Sequence, residues 1–168
     1  MTTPLSATLE AAIPTFDFST LEWAAEGFAA TSLTSPAGLK TLLEEVSNAE
    51  TLKAAFFECG AQGPFAVYAL ACLARHAGVG EDVVHEGPLS RLTGAIAGNL
   101  TVNGPVICDS ENWLLVAGDV KAHSLITSAD VIIAGAATFR DGVLGLNSWN
   151  QSMWVRGPVE AKVFVTSD

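Results

Sequence analysis

Basic side chains are scarce in this chain: eight Lys and Arg stand against eighteen Asp and Glu, a formal net charge of −10. Such a surface repels a phosphate backbone, which excludes nucleic acid as a direct partner and suits a basic protein instead. No Lys or Arg precedes Lys40, so the basic start of a secretory leader is missing and a cytoplasmic chain is expected. Cysteine is sparse too. Cys59, Cys72 and Cys108 form no CxxC pair, and their odd number argues against a disulfide framework. The longest apolar run, residues 64–74, is about half of the roughly 20 residues a membrane span needs. It reads as a buried helix, and no membrane partner is expected.

The 168 residues, 49% hydrophobic and 15% charged, suffice for one domain with a packed core. The first part, residues 1–95, reads as helical. Leu21, Ala24, Ala25 and Phe28 recur at helical spacing after Thr20. Ser35 and Pro36 supply an N-cap and a first-turn proline to a segment stacking Leu39, Leu42, Leu43 and Val46. Another helix is expected from Asn48 to Cys59. The most buried helix is expected from Pro64, closing at Gly78 and Gly80. Residues 87–98 read either as a last helix or as the first turns of the next region.

From Asn99 onward the apolar period becomes two. Four runs, each apolar-x-apolar-x-Gly-x-apolar, place Gly104, Gly118, Gly135 and Gly157 at corresponding points, separated by 14, 17 and 22 residues. This pattern predicts an α+β fold: a helical region capping a parallel β-helix, or β-solenoid, of about four coils over residues 96–168, in one compact unit. An antiparallel sheet with glycine-bearing hairpins is the competing architecture. Asn103-Gly104 and Asp141-Gly142 are hairpin-like, but two of the four aligned glycines follow Ala and one follows Arg. Stacked coils have open ends, and the helical half is expected to cover the first coil.

The lines LLVAGDVKAHSLIT (114–127) and MWVRGPVEAKVFVTSD (153–168), with NLTVNGPVI (99–107) as a weaker copy, resemble bacterial β-helix proteins built from reiterated LxVxGDVxAxxLxV units. Polymer-forming cytoskeletal, bactofilin-like proteins carry such units, as do small cytosolic proteins similar to immunity partners of polymorphic toxins. The resemblance covers about 70 residues and implies a coil shape used for binding or assembly, with no catalytic residues to carry over. The solenoid is shorter than the polymerising type and is joined to a long helical region, which favours a capped monomer or homodimer.

Chemical signatures are weak. His76, His85 and His123 show no HxxxH, HxH or HxxE spacing, so neither a metal nor another cofactor is expected. Cys72 and His76, four apart on one helix, form a conceivable nucleophile pair, although Cys behaves equally well as a small apolar residue. Glu44-Glu45 and Glu81-Asp82 point about 100° apart within each pair if helical, which suits a solvated face. No glycine-rich phosphate loop is present. Interface candidates are Arg140, Asn147, Trp149, Asn150 and Trp154, read as a long insertion between the last two coils, and an acidic aromatic rim of Asp109, Glu111 and Trp113. Trp149 and its neighbours either present a binding loop or plug the solenoid. The function expected first is a non-enzymatic immunity protein that binds a basic toxin or effector domain. The alternative is a self-assembling structural β-helix, in which the apolar strand before Asp168 pairs with another copy or a partner.

Overall fold

The computed structural model describes residues 5–44, 63–90, 95–110, 112–146 and 153–167. The helix expected over residues 48–59 lies outside them. In the helical region, α2 (Ser19–Ala25) buries Leu21, Ala24 and Ala25. It opens on Asp17, whose carboxylate accepts the Ser19 N–H at 3.0 Å and is held below its ordinary pKa chiefly by its hydrogen bonds to Ser19. α3 (Pro36–Glu44) begins as the sequence indicates, with Ser35 Oγ accepting the Gly38 N–H at 3.2 Å and Leu39, Leu42 and Leu43 buried. α4 (Gly63–His76) is buried from Phe65 to Ala74, so apolar all round that it has neighbours on every side. The Tyr68 hydroxyl at its centre donates to the Thr20 carbonyl at 2.6 Å, clasping α2. A further helix, α1 (Leu5–Ala12), lies in the stretch expected to be helical, ahead of the individual helices the periodicity marks, and buries Leu9.

The remainder is a parallel β-solenoid of about four turns. Its strands are β1 (Val83–Glu86), β2 (Leu89–Ser90), β3 (Ala95–Ile96), β4 (Leu100–Asn103), β5 (Pro105–Cys108), β6 (Trp113–Val116), β7 (Val120–Thr127), β8 (Asp130–Ile133), β9 (Ala137–Leu146), β10 (Met153–Val155) and β11 (Val159–Ser167). All nine strand pairings are parallel, which excludes the hairpin alternative for these strands. Each coil has three sides. Face one stacks β1, β4 and the first halves of β7, β9 and β11; face two stacks β2, β5 and their second halves; face three stacks β3, β6, β8 and β10. The long strands turn the corner between faces one and two at register shifts, between Ala122 and Ser124 and between Ala161 and Val163.

Two sequence expectations need correction. The solenoid starts at Val83, inside the stretch read as helical to residue 95, because β1 and β2 are short and largely solvent-facing and lack the repeat's glycine. The stacked glycines are Gly98, Gly118, Gly135 and Gly157, not Gly104. A Cβ on Gly118 would stand 2.5 Å from the Gly98 carbonyl oxygen, one on Gly135 2.6 Å from that of Gly118, and one on Gly157 2.6 Å from that of Gly135, so each coil fits on the last only without side chains here. Gly104 occupies another corner, where its carbonyl accepts the His123 N–H at 3.0 Å.

The helical region also takes a different place from the one expected. The described helices pack on the flank of the solenoid, against face three, and none of them lies over the open end of the first coil. Leu115, Ala117 and Ile132 belong to the helical core, with Trp113, Ala134 and Trp154 packed at its margin. The interior between the faces is a separate core that includes Leu100, Val106, Leu114, Val131 and Phe139.

Candidate functional site

Because side chains alternate along each strand, every coil shows one set of residues to the interior and one outward. On face one the outward column is Val84, Thr101, Lys121, Thr138 and Glu160, largely polar and suited to water. On face three the outward column is apolar and the helices cover it. On face two the outward column is Ile107, Ile126, Leu144 and Val165, in register over four coils. No described element covers it: Ile107, Leu144 and Val165 are exposed, with Leu146 beside them.

A second apolar surface lies at the end of the stack. β11 pairs only with β9, leaving its other edge without a strand partner among the described residues. Among the described residues no further coil covers its inward side chains. Phe164 is 54% exposed. With Val159, Thr166, Met153 and Val155 it lines a shallow hollow of about 330 Å³.

The corner between faces three and one explains the recurrent Gly-Asp and Gly-Asn of the repeats. Asp82 accepts the Asn99 N–H at 2.7 Å, Asn99 accepts the Asp119 N–H at 2.9 Å, and Asp119 accepts the Ala136 N–H at 2.9 Å. Each side chain thus satisfies a backbone donor of the next coil. Asp82 holds a corner of the stack and does not form an acid–base pair with Glu81. The signal was legible as Asx residues at 82, 99 and 119, spaced 17 and 20 apart.

Of the interface candidates, Trp154 and Trp113 are half-buried against the helical core. Trp154 stacks edgewise on Trp23 at 6.2 Å and tilts over Phe28 at 5.8 Å between ring centroids. They join helices to solenoid, so Trp113 does not stand on an acidic rim and Trp154 is not a loop anchor. Arg140 lies on β9, because strand continues to Leu146 and the insertion shrinks to residues 147–152. Its guanidinium makes a two-pronged pair with Asp141 at 3.0 and 3.1 Å, which raises the Arg140 pKa and lowers that of Asp141. Asp109 accepts a hydrogen bond from the buried Asn112 amide and closes the corner after β5. Glu111, Asn147, Trp149 and Asn150 lie outside the described residues.

The nucleophile pair is not assembled. His76 Nε2 meets Thr15 Oγ1 at 2.9 Å. Burial pushes the Cys72 thiol up to about 12, which keeps it protonated at neutral pH. Cys108 is likewise pushed up to about 12 by burial and by the charge of Asp109. Glu44 ends α3, and Glu45 lies outside the described residues. Among the described residues no three His, Cys, Asp or Glu side chains converge as metal ligands, and no helix is long and apolar enough to cross a membrane. No protein family, curated protein or solved structure matches the chain.

Proposed function

We propose that the protein is a non-catalytic structural β-solenoid that associates end to end through its last coil. The observation that carries this reading is the exposed inner side of β11. Phe164 and Val159, at positions where earlier coils bury their interior residues, meet solvent beside an edge strand. A strand edge with an apolar inner row is a template for another strand, and stacking one more coil buries both at once. The resemblance to bactofilin-like repeats agrees with this reading. The test is light-scattering mass against concentration, from micromolar upward, at low and moderate salt. Growth beyond two chains in wild type, abolished by Phe164→Lys, is the expected result, and a mass that never exceeds two chains overturns it.

A second reading, an immunity protein that neutralises a basic bacterial toxin or effector domain in the cytoplasm, is favoured by the net charge of −10. Charge of that size steers a cationic partner and speeds encounter. Two of the tryptophans that would have anchored such a partner, Trp113 and Trp154, are engaged inside the molecule, which is why this reading stands second. Co-purification of a basic toxin domain, released by salt, would put it first.

A further inference from the structure

We infer, on the end-to-end reading above, that the last coil receives the first coil of a second copy, head to tail, and that Glu81 keeps this joint weak. Both ends of the stack are open among the described residues: β1 pairs only with β4, β2 only with β5 and β11 only with β9. Where each coil enters face one, the same backbone bond recurs. Val83 N–H donates to the Asn99 carbonyl, Leu100 to that of Asp119, Val120 to that of Ala136 and Ala137 to that of Pro158, all at 2.8 to 3.0 Å. The next donor in this series is Val159 N–H, and the carbonyl one coil before the series is that of Asp82. Carrying the register on by one coil joins them, and it seats the side chains as well. Val83 belongs to the column of Leu100, Val120, Ala137 and Val159, and Leu89 to that of Val106, Leu125, Val143 and Phe164. Val83 of the second copy then lies on Val159, and its Leu89 closes over the exposed Phe164 ring.

Charge selects this occupant over a second last coil. Residues 77–90 at the first end carry Glu81, Asp82 and Glu86 and no Lys or Arg, whereas residues 153–167 at the last end carry Arg156 and Lys162 against Glu160; Arg91 and Asp168 lie outside the described residues. Two last coils in contact would set the basic end against itself, and two first coils acid against acid. Head to tail, one pair becomes specific. Glu86 pairs in register with Asn103, the next residue Gly104 accepts the His123 N–H, and Lys162 fills in β11 the register shift that His123 fills in β7. Glu86 and Lys162 thus share one corner column, about 19 Å apart within a chain at four coils of about 4.8 Å, and adjacent across the joint. Asn103 donates to Glu86 Oε1 at 2.6 Å, so one carboxylate oxygen remains for Lys162. Asp141, beside Lys162 in the column, is already paired with Arg140. One column does not match. Gly98, Gly118, Gly135 and Gly157 rise on Glu81, and each is glycine because a Cβ would strike the carbonyl of the coil before it. In the joint Glu81 of the second copy comes onto the Gly157 carbonyl, so its side chain props this corner open, as edge charges do where sheets limit their own growth. A contact of two different surfaces does not close and adds further copies.

The test is sedimentation equilibrium of the 168-residue chain, with circular dichroism as the check on folding. Glu86→Lys alone and Lys162→Glu alone are each expected to weaken association about tenfold, since each sets like charges side by side across the joint. The chain carrying both reversals is expected to regain near wild-type association, because the swapped pair meets between copies, and that recovery shows that neither substitution misfolds the chain. Glu81→Gly is expected to tighten association about tenfold and to lengthen the polymers at equal concentration, by relieving the overpacked corner. A wild-type mass that never exceeds two chains overturns the end-to-end reading and the head-to-tail joint together. Growth beyond two chains that Phe164→Lys abolishes but the charge reversals leave unchanged, or that the double variant does not recover, leaves the end-to-end reading standing and overturns the head-to-tail joint. Growth that Glu81→Gly leaves unchanged or weakens overturns the role given to Glu81.

Discussion

Faces two and three of the solenoid are built alike and treated differently. Both turn an apolar column outward, Ile107, Ile126, Leu144 and Val165 on one and Leu115, Ile132 and Trp154 on the other. The chain covers face three with its own helices, and no described residue covers face two. Outward apolar residues on a solenoid therefore mark a surface to be covered, and the covering comes from within the chain or from outside it. The small residues show how the covered side was prepared. Ala117 and Ala134 lie beneath the helices, so α4 can approach the strands closely, whereas on face two Ser124 and Gly142 stack between Pro105 and the exposed Val163.

The sharpest way to break this comparison is to cut the same side chain on each face. Leu115 is 1% exposed and Leu144 36% exposed. Leu115→Ala is expected to cost about 3 kcal/mol in urea unfolding, from lost burial and a residual cavity. Leu144→Ala is expected to cost less than about 0.5 kcal/mol in dilute protein. Equal losses would show that face two is covered within the monomer. Next in size, Trp154→Ala should cost about 2 kcal/mol, because its ring is half-buried on Trp23 and Phe28. Loss of helical circular dichroism at lower urea than loss of strand signal would locate the damage at the seam.

Gly135→Ala tests the stack itself. Its Cβ would lie 2.6 Å from the Gly118 carbonyl oxygen, backbone that has nowhere to move, and a cost of about 2 kcal/mol is expected in the same unfolding experiment.

The two buried thiols sharpen the comparison through pH. One lies under the helices and one inside the solenoid, both pushed up to about 12. In a Cys59→Ser chain neither should react with a thiol reagent at pH 8 until the chain unfolds. Folding holds the protonated form, so this contribution is complete below the unfolded-state pKa near 9 and is lost as pH rises toward 12. Titrated unfolding should thus show stability declining across pH 9 to 12, and fast labelling of folded chain at pH 8 would contradict the burial. The smallest effect is expected at the seam's polar strut. Arg156 Nη2 donates to Ser19 Oγ at 2.8 Å across the join, and Ser19→Ala should cost about 0.5 kcal/mol.

The repeat architecture was legible in the sequence because a coil's corner admits only certain residues. Gly118, Gly135 and Gly157 were found at their true positions, since a Cβ there meets the carbonyl of the coil below. Gly104 was misaligned because a second corner also closes tightly, against Gly87, and spacing alone does not tell two corners apart. The first coil went unread because no glycine precedes Asp82 at the stacking point and strands of two to four residues give little alternation. The candidate site was less legible. Trp113 and Trp154 look like surface anchors in one dimension, because nothing local says that Trp23 and Phe28 meet them.

By itself the sequence determined the local periods, the caps and the coil shape. Those follow from interactions between near neighbours or from a steric rule that repeats with each turn. Only the tertiary structure decided which of two apolar faces the helices would cover, and with it which face no described residue covers. That choice depends on where residues 5–76 dock relative to residues 83–167, a matter of shape matching between distant segments. An outward Leu on face two and an outward Leu on face three obey the same alternation, and packing alone distinguishes them.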